Sequence, residues 1–404
     1  MHEKISSFLQ ERIEANDFPS AVYLVAEKGE IVFQDALGYA VVEPELIEAS
    51  LDTIYDLASL TKPLVTGLLA AKLIESGNLD LDQIVEHYLP ELIEFGDSPD
   101  GPKYVEYDCL DVLISELLIH HSGYQAWKPF YLLCANATDK RKKVLDLIAN
   151  KIPPRLEPEV IYSDLNFLML AGLLEKLYGG HLDGITVEEI FHPLILTDTS
   201  FNPPKELRKR IAASEKGNEY EKQTCIEQGY LTGGNATVKE RARTNPVVTV
   251  PGSDSFFRID VIWGEVHDGN AYFMGGVAGH AGLFSTAEEV FKVAQQFLPN
   301  YTTLLKPETC ELFRTNFTKG MNEDRSFAFQ LASTEGSTAG TKMSPESFGH
   351  NGFTGTSLWI DPVKERIFIL LTNRTHNHPL PFVNINAVRR RFHDLAIDLL
   401  DKNS

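Results

Sequence analysis

The 404-residue chain, with 43% hydrophobic and 23% charged residues, has the length and apolar content for a large folded core. Its net charge of −20 sets it against nucleic acid and anionic membrane as partners, because both repel a strongly acidic surface. No apolar run is long enough to span a bilayer, and Cys109, Cys134, Cys225 and Cys310 lack metal-site spacing and read as reduced packing residues.

Taken in chain order, Met1 to Asn16 reads as an amphipathic helix with Ile5, Phe8, Leu9 and Ile13 on one face. It has neither the apolar core nor the cleavage site of a signal peptide, so the chain as given reads as cytoplasmic. Removal of a leader would leave the same sequence in a periplasmic or secreted protein. Ala21–Ala26 and Ile31–Gln34 flank Glu27-Lys28-Gly29-Glu30, which has the turn chemistry of a β-hairpin. Lys62 to about Gly180 is mostly helical in pattern, with helices expected over Ser115–His120, Lys142–Asn150 and Asn166–Tyr178. Phe201 to Phe257 lacks sustained periodicity and reads as long loops or short strands, serving as a lid or rim or simply as surface decoration. Thr286 followed by Glu288 and Glu289 predicts a capped helix to Phe297. Strands over Phe353–Ile360 and Arg366–Thr372 and a closing helix over Ile385–Leu400 complete the chain. Strands at both ends with helices between predict one α+β domain over 1–404. Its central, mainly antiparallel sheet comes from both chain ends and is flanked by helices. An α/β lobe would span about 1–75 and 258–404, and a helical, loop-rich lobe about 76–257.

Ser59-Leu60-Thr61-Lys62 stands between an extended segment and the helical pattern from Leu64 to Gly77. Pro63 fits a first helical turn, where no intrahelical amide donor is needed. Lys62 then lies one turn above Ser59, within reach of its hydroxyl. Serine is a poor nucleophile until a base removes its proton, and lysine can act as that base when its neutral form is favoured. The helix start also leaves the Ser59 N–H free to hold an oxyanion. A second cluster, Tyr162-Ser163-Asp164, starts a helix; Tyr162 is either a proton-transfer partner of Lys62 or a half-buried aromatic, and Asp164 either a site residue or a helix cap. In the third segment, His350-Asn351-Gly352-Phe353, the surrounding glycines suit a strand that a ligand or another backbone approaches closely.

In these three segments the chain resembles the serine β-lactamases and penicillin-binding proteins, especially the class C-like branch that includes esterases and D-amino-acid peptidases. Ser59-Leu60-Thr61-Lys62 looks like that family's S-x-x-K, Tyr162-Ser163-Asp164 like its Y-x-N, and His350-Asn351-Gly352 like its K-T-G. Leu118-Ile119-His120-His121-Ser122-Gly123 and the glycine-rich run Gly275 to Thr286 are similar to two supporting loops. The resemblance implies a β-lactamase/DD-peptidase-like fold and an acyl-serine hydrolase that uses no metal or cofactor. It implies Ser59 as nucleophile, Lys62 and Tyr162 as proton-transfer pair, and the backbone N–H groups of Ser59 and Phe353 as oxyanion hole. Asp164, His350, Asn351, Gly352 and His280 are expected against substrate, with His280 either lining the cleft or satisfying backbone groups. Two departures bear on substrate: His350 replaces the lysine of true β-lactamases and is expected to change charge near pH 6 to 7, and Asp164 replaces an amide. Both favour a small ester, amide or D-amino-acid peptide over an anionic β-lactam. The alternatives are a class C-like β-lactamase and a non-catalytic penicillin- or cell-wall-fragment-binding protein. Thr375-His376 and His378 read as a solvated polar loop rather than a metal site.

Overall fold

The computed structural model describes residues 3–92, 111–151, 159–231 and 256–403. Cys109 and the 232–255 part of the expected rim lie outside the described residues. Among the described residues ten strands are formed: β1 Ser20–Glu27, β2 Glu30–Val41, β3 Ile47–Glu48, β4 Tyr55–Asp56, β5 Ser200–Phe201, β6 Leu283–Ser285, β7 Gln330–Leu331, β8 Phe348–Asn351, β9 Ser357–Asp361 and β10 Arg366–Thr372. Seven of them make a sheet in the order β3-β2-β1-β10-β9-β8-β7, and every neighbouring pair is antiparallel. The strands of the first and last parts of the chain therefore meet at the β1–β10 pair, as expected.

Alternation along these central strands builds two cores. Val22, Leu24 and Ala26 of β1 and Ile367, Ile369 and Leu371 of β10 face one core, while Tyr23, Val25, Phe368 and Leu370 face the other. Both faces are covered, which is why the two strands read as nearly unbroken apolar runs. Helix α1 (Glu3–Glu14) and the closing helix, Asn386–Asn403, supply Ile5, Leu9, Phe392 and Ile397 to the second core. The first core takes in Leu64 to Leu69 and the helix Ala287–Ala294, which is capped by the Thr286 hydroxyl accepting from the Glu289 N–H. No helix among the described residues is long and apolar enough to cross a membrane.

Two expectations are corrected. The segment Phe353–Ile360 is not one strand: β8 ends at Asn351, residues 352–356 turn, and β9 begins at Ser357. Gly352 is required in that turn, since a Cβ there would meet the Leu57 carbonyl oxygen at 2.6 Å. Within Phe201–Phe257, Glu219–Glu227 is a helix, where the absence of an apolar stripe concealed it.

A stability prediction follows from His393, fully buried in the second core beside Trp359 and Phe392 with its Nδ1–H donating to the Thr338 carbonyl at 2.7 Å. Burial pushes the imidazole down from 6.5 to about 3. The stabilisation from keeping it neutral is complete above pH 6.5 and is lost as pH falls toward 3, because only the unfolded chain takes up the proton. We expect ΔG of unfolding to fall between about pH 6 and 4 by about 1.4 kcal/mol per pH unit more steeply in the parent than in His393→Gln. Urea titrations across that range giving equal slopes would refute this.

Candidate active site

Ser59 sits in a short 3-10 turn, Ala58–Leu60, entered from β4 and followed by a π-helical stretch, Lys62–Gly67, and then the helix Leu68–Glu75. Side chains three residues apart align on a 3-10 turn, which brings the Lys62 Nζ to 3.1 Å from the Ser59 Oγ. The turn starts from a strained residue: Ala58 has φ of 47°, in the left-handed region. Asp56 holds it there by accepting the Ala58 N–H at 2.8 Å, while its other oxygen accepts the His267 N–H at 2.7 Å. Across the fold, Thr354 and Thr356 of the β8–β9 turn donate to the carbonyls of Asp56 and Leu57 at 2.7 and 3.0 Å. The Ser59 turn is thereby fixed to the segment that carries His350, Asn351 and Gly352.

Lys62 is completely buried, and its ammonium donates to Ser59 Oγ and to the His280 carbonyl at 3.2 Å and pairs with Asp164 Oδ1 at 2.6 Å. Burial pulls the amine down, but Asp164 and then Tyr162 outweigh it, and the net direction is upward. The resting lysine is a cation. Asp164 thus grips the lysine, and it also lines the cavity. Tyr162 lies beside the same ammonium, which is 4.8 Å from its ring centre. Burial raises its phenol, and Lys62 and a hydrogen bond with Ser59 pull the other way. The tyrosine is positioned by His120, which accepts the Ile161 N–H through its carbonyl at 2.9 Å and the Ser163 N–H through Nδ1 at 3.0 Å, with the two rings 4.6 Å apart.

His350 is 4% exposed, its Nδ1–H donates to the Asn351 carbonyl at 2.9 Å, and its Nε2 has no partner among the described residues. Burial first, then the charges of Lys62 and Arg325, push it well below the ordinary histidine range. This moves its change of charge below the expected pH 6 to 7, and the neutral ring presents Nε2 as an acceptor. Asn351 bonds the Thr338 hydroxyl through its side-chain amide. Of the two places open to His280, the cavity wall is not the one it takes. It is 1% exposed, its Nε2 faces Asp268 Oδ1 at 3.0 Å, and its carbonyl faces Lys62, so it supports the lysine from beneath instead of touching the cavity. Gly279 permits that approach, since a Cβ there would lie 2.2 Å from the Phe167 carbonyl oxygen. Asp164, Asp268 and His280 bring their ligand atoms within 4.8 Å of one another, but the ammonium of Lys62 already lies against Asp164 at 2.6 Å and supplies the positive charge of this group.

Ser59, Tyr162, Asp164, His350, Asn351, Gly352 and Phe353 line one cavity of about 570 Å³. Several of its wall residues were not anticipated. Tyr220 and Glu221 come from the helix Glu219–Glu227, Asp268 from the loop after His267, and Arg325, Arg374 and Arg389 from the C-terminal part of the chain. Burial and the neighbouring Asp268 raise Glu221 to about 7. The ring of Phe353 packs on Tyr220 and His267, with centroids at 4.7 and 5.3 Å, and the Arg374 guanidinium lies 5.0 Å from its centre. His376, by contrast, spends both ring nitrogens on backbone, accepting from the Val42 N–H and donating to the Ser214 carbonyl.

The profile of the beta-lactamase family matches residues 5–390. A protein of Escherichia coli strain K12 named "Putative D-alanyl-D-alanine carboxypeptidase" is 31% identical over 379 residues, covering 89% of this chain and 79% of that one. Among solved structures, the octameric penicillin-binding protein homologue from Pyrococcus abyssi superposes with a TM-score of 0.67 at 17% identity, covering 98% of this chain and 77% of that one. EstCE1, described as a hydrolase with promiscuous acyltransferase activity, gives 0.68 at 20% identity over 97% of both chains. The two structures share the fold, and with the profile match across nearly the whole chain, the protein belongs to the beta-lactamase family.

Proposed function

We propose that this protein is an acyl-serine hydrolase that cleaves an ester or amide, of D-alanyl-D-alanine peptide type, through a covalent acyl-enzyme at Ser59. The observation that carries the reading is the buried Lys62 ammonium 3.1 Å from the Ser59 hydroxyl, beside the half-buried Tyr162 at the base of an open cavity. Attack by Ser59 passes its proton toward the Tyr162–Lys62 pair, and the carbonyl oxygen of the substrate becomes an oxyanion met by the N–H groups of Ser59 and Phe353. The pair then protonates the leaving group, and water repeats the sequence to release the acid. Arg374 has no carboxylate at ion-pair distance among the described residues and lies on the cavity wall, which gives a substrate carboxylate a cation to approach. This agrees with the name of the Escherichia coli relative.

Intact mass after exposure to short-chain esters, D-alanyl-D-alanine peptides and penicillins tests the reading. A serine-linked acyl adduct from an ester or a peptide is the expected result, and no adduct or turnover with any of them would refute it. A neutral His350 makes a separate prediction. The profile of kcat/KM for a neutral ester should keep its shape from about pH 5.5 to 7.5 in His350→Gln, since an ordinary histidine titrates there and this one does not. Loss of an inflection near pH 6.5 in the variant would show that His350 does change charge in the working enzyme.

A further inference from the structure

The Arg389 guanidinium is 5% exposed, and its hydrogen bonds go to this turn and its own helix: Nη2 donates to the carbonyls of Gly352 and Thr356, both at 2.9 Å, and Nη1 to Asn386 Oδ1 at 2.9 Å. Among the described residues no carboxylate lies at ion-pair distance from it. It is cationic at neutral pH although burial and Arg374 lower it to about 9. A buried cation without a counter-ion is costly unless its field is used. One of its acceptors, the Gly352 carbonyl, is the other end of the peptide unit whose N–H belongs to Phe353.

We propose that Arg389 is a positioning residue for the oxyanion hole, aiming and polarising the Gly352–Phe353 peptide so that the Phe353 N–H meets the developing oxyanion. The inference rests on the acyl-serine reading above. In a trans peptide the C=O and N–H point in opposite directions, so fixing the carbonyl against Arg389 fixes the N–H on the far side. The turn leaves that N–H uncommitted: the Gly355 N–H closes it onto Gly352 O at 3.2 Å and the Gly352 N–H bonds Thr356 O at 2.8 Å, while the second residue of such a turn contributes no donor to it. A charged donor on the carbonyl also draws electrons from the amide and strengthens its N–H as a donor, in the cooperative sense known for hydrogen-bonded chains. The second grip, on Thr356 O, holds the residue whose hydroxyl bonds Leu57 O, two residues before Ser59. One guanidinium therefore sets the spacing between the two oxyanion donors.

The test uses a neutral short-chain ester, which has no carboxylate to anchor, with the full-length parent, Arg389→Leu and Arg389→Lys. Losing one oxyanion donor costs about 10²–10³-fold, and misaligning one is expected to lower kcat by about 10- to 100-fold with KM within about threefold. A merely structural role would not move a second readout, the infrared band of a ¹³C-labelled acyl carbonyl trapped on Ser59, which should shift to higher frequency as polarisation is lost. Lysine keeps the charge but cannot grip two carbonyls with a planar fork, so Arg389→Lys decides the matter if Arg389→Leu does not fold. An unmoved carbonyl band, a kcat within threefold of the parent, or a loss confined to the KM of carboxylate-bearing substrates would each overturn the inference alone. No acyl-enzyme on Ser59 of the parent would overturn the site reading and this inference with it.

Discussion

Ser59→Ala is expected to lose at least about 10³-fold in ester turnover and all labelling by a fluorophosphonate, since a catalytic unit fails nearly completely when its nucleophile is removed. The expectation comes from the surroundings of the hydroxyl. It is the side chain that meets the Lys62 ammonium at 3.1 Å, at the end of a strained turn held by Asp56, Thr354 and Thr356. The other serines near the site are committed to structure. Ser122 donates to Asn166 Oδ1 at 2.6 Å, and Ser163 donates to the Gln125 carbonyl at 2.6 Å while accepting the Leu165 N–H as the cap of the helix Asp164–Tyr178. Fluorophosphonate retained by Ser59→Ala, or mapped by peptide mass to Ser122 or Ser163, would remove Ser59 from its role.

What was legible in the sequence divides by range. The Ser59–Lys62 pair was readable because three residues of helical backbone fix their relation, and the antiparallel sheet because its strands carry continuous or alternating apolar residues. The capped helix after Thr286 was equally local. The supports of the nucleophile were not readable: Thr354 reaches Asp56 across 298 positions, and no periodicity in either segment announces the contact. His350 shows the same division inside one residue. Its presence in the third motif is plain, but its charge is set by burial and by Lys62 and Arg325, which only the folded chain brings near. The turn at 352–356 has a local signal in Gly352 and Gly355, which suits close approach of a ligand or another backbone; the Leu57 backbone does approach Gly352, but at a turn in which Gly355 takes a φ of 118° and not within a strand. The glycine-rich context of His280 left two places open to it, and the half-buried Asp268 holds it beneath Lys62 and off the cavity wall.

Tyr162→Phe is expected to slow ester turnover by about 10²–10⁴-fold and to change its dependence on pH, because the proposed mechanism gives the proton to the phenol. Asp164 at 2.6 Å favours the cationic form of Lys62, so in the proposed mechanism the lysine stabilises a phenolate and Tyr162 takes the proton. At pH 7 an ordinary lysine and an ordinary tyrosine each need about three units, or about 4–5 kcal/mol, to lose a proton, so the choice between them rests on Asp164 holding the lysine charged. Burial raises Tyr162 above 10, so at neutral pH only a small fraction is ionised and that fraction grows with pH. For a group with a raised value the active, deprotonated form is gained as pH rises, and log kcat/KM should climb by about one per pH unit from about pH 7 to 9. In Tyr162→Phe that climb should vanish along with the rate, while circular dichroism stays at the parent spectrum because only a hydroxyl has been removed. A variant that keeps both the parent rate and the parent slope would make Tyr162 structural and return the base to Lys62, which would then have to lose its proton to Asp164 before Ser59 attacks.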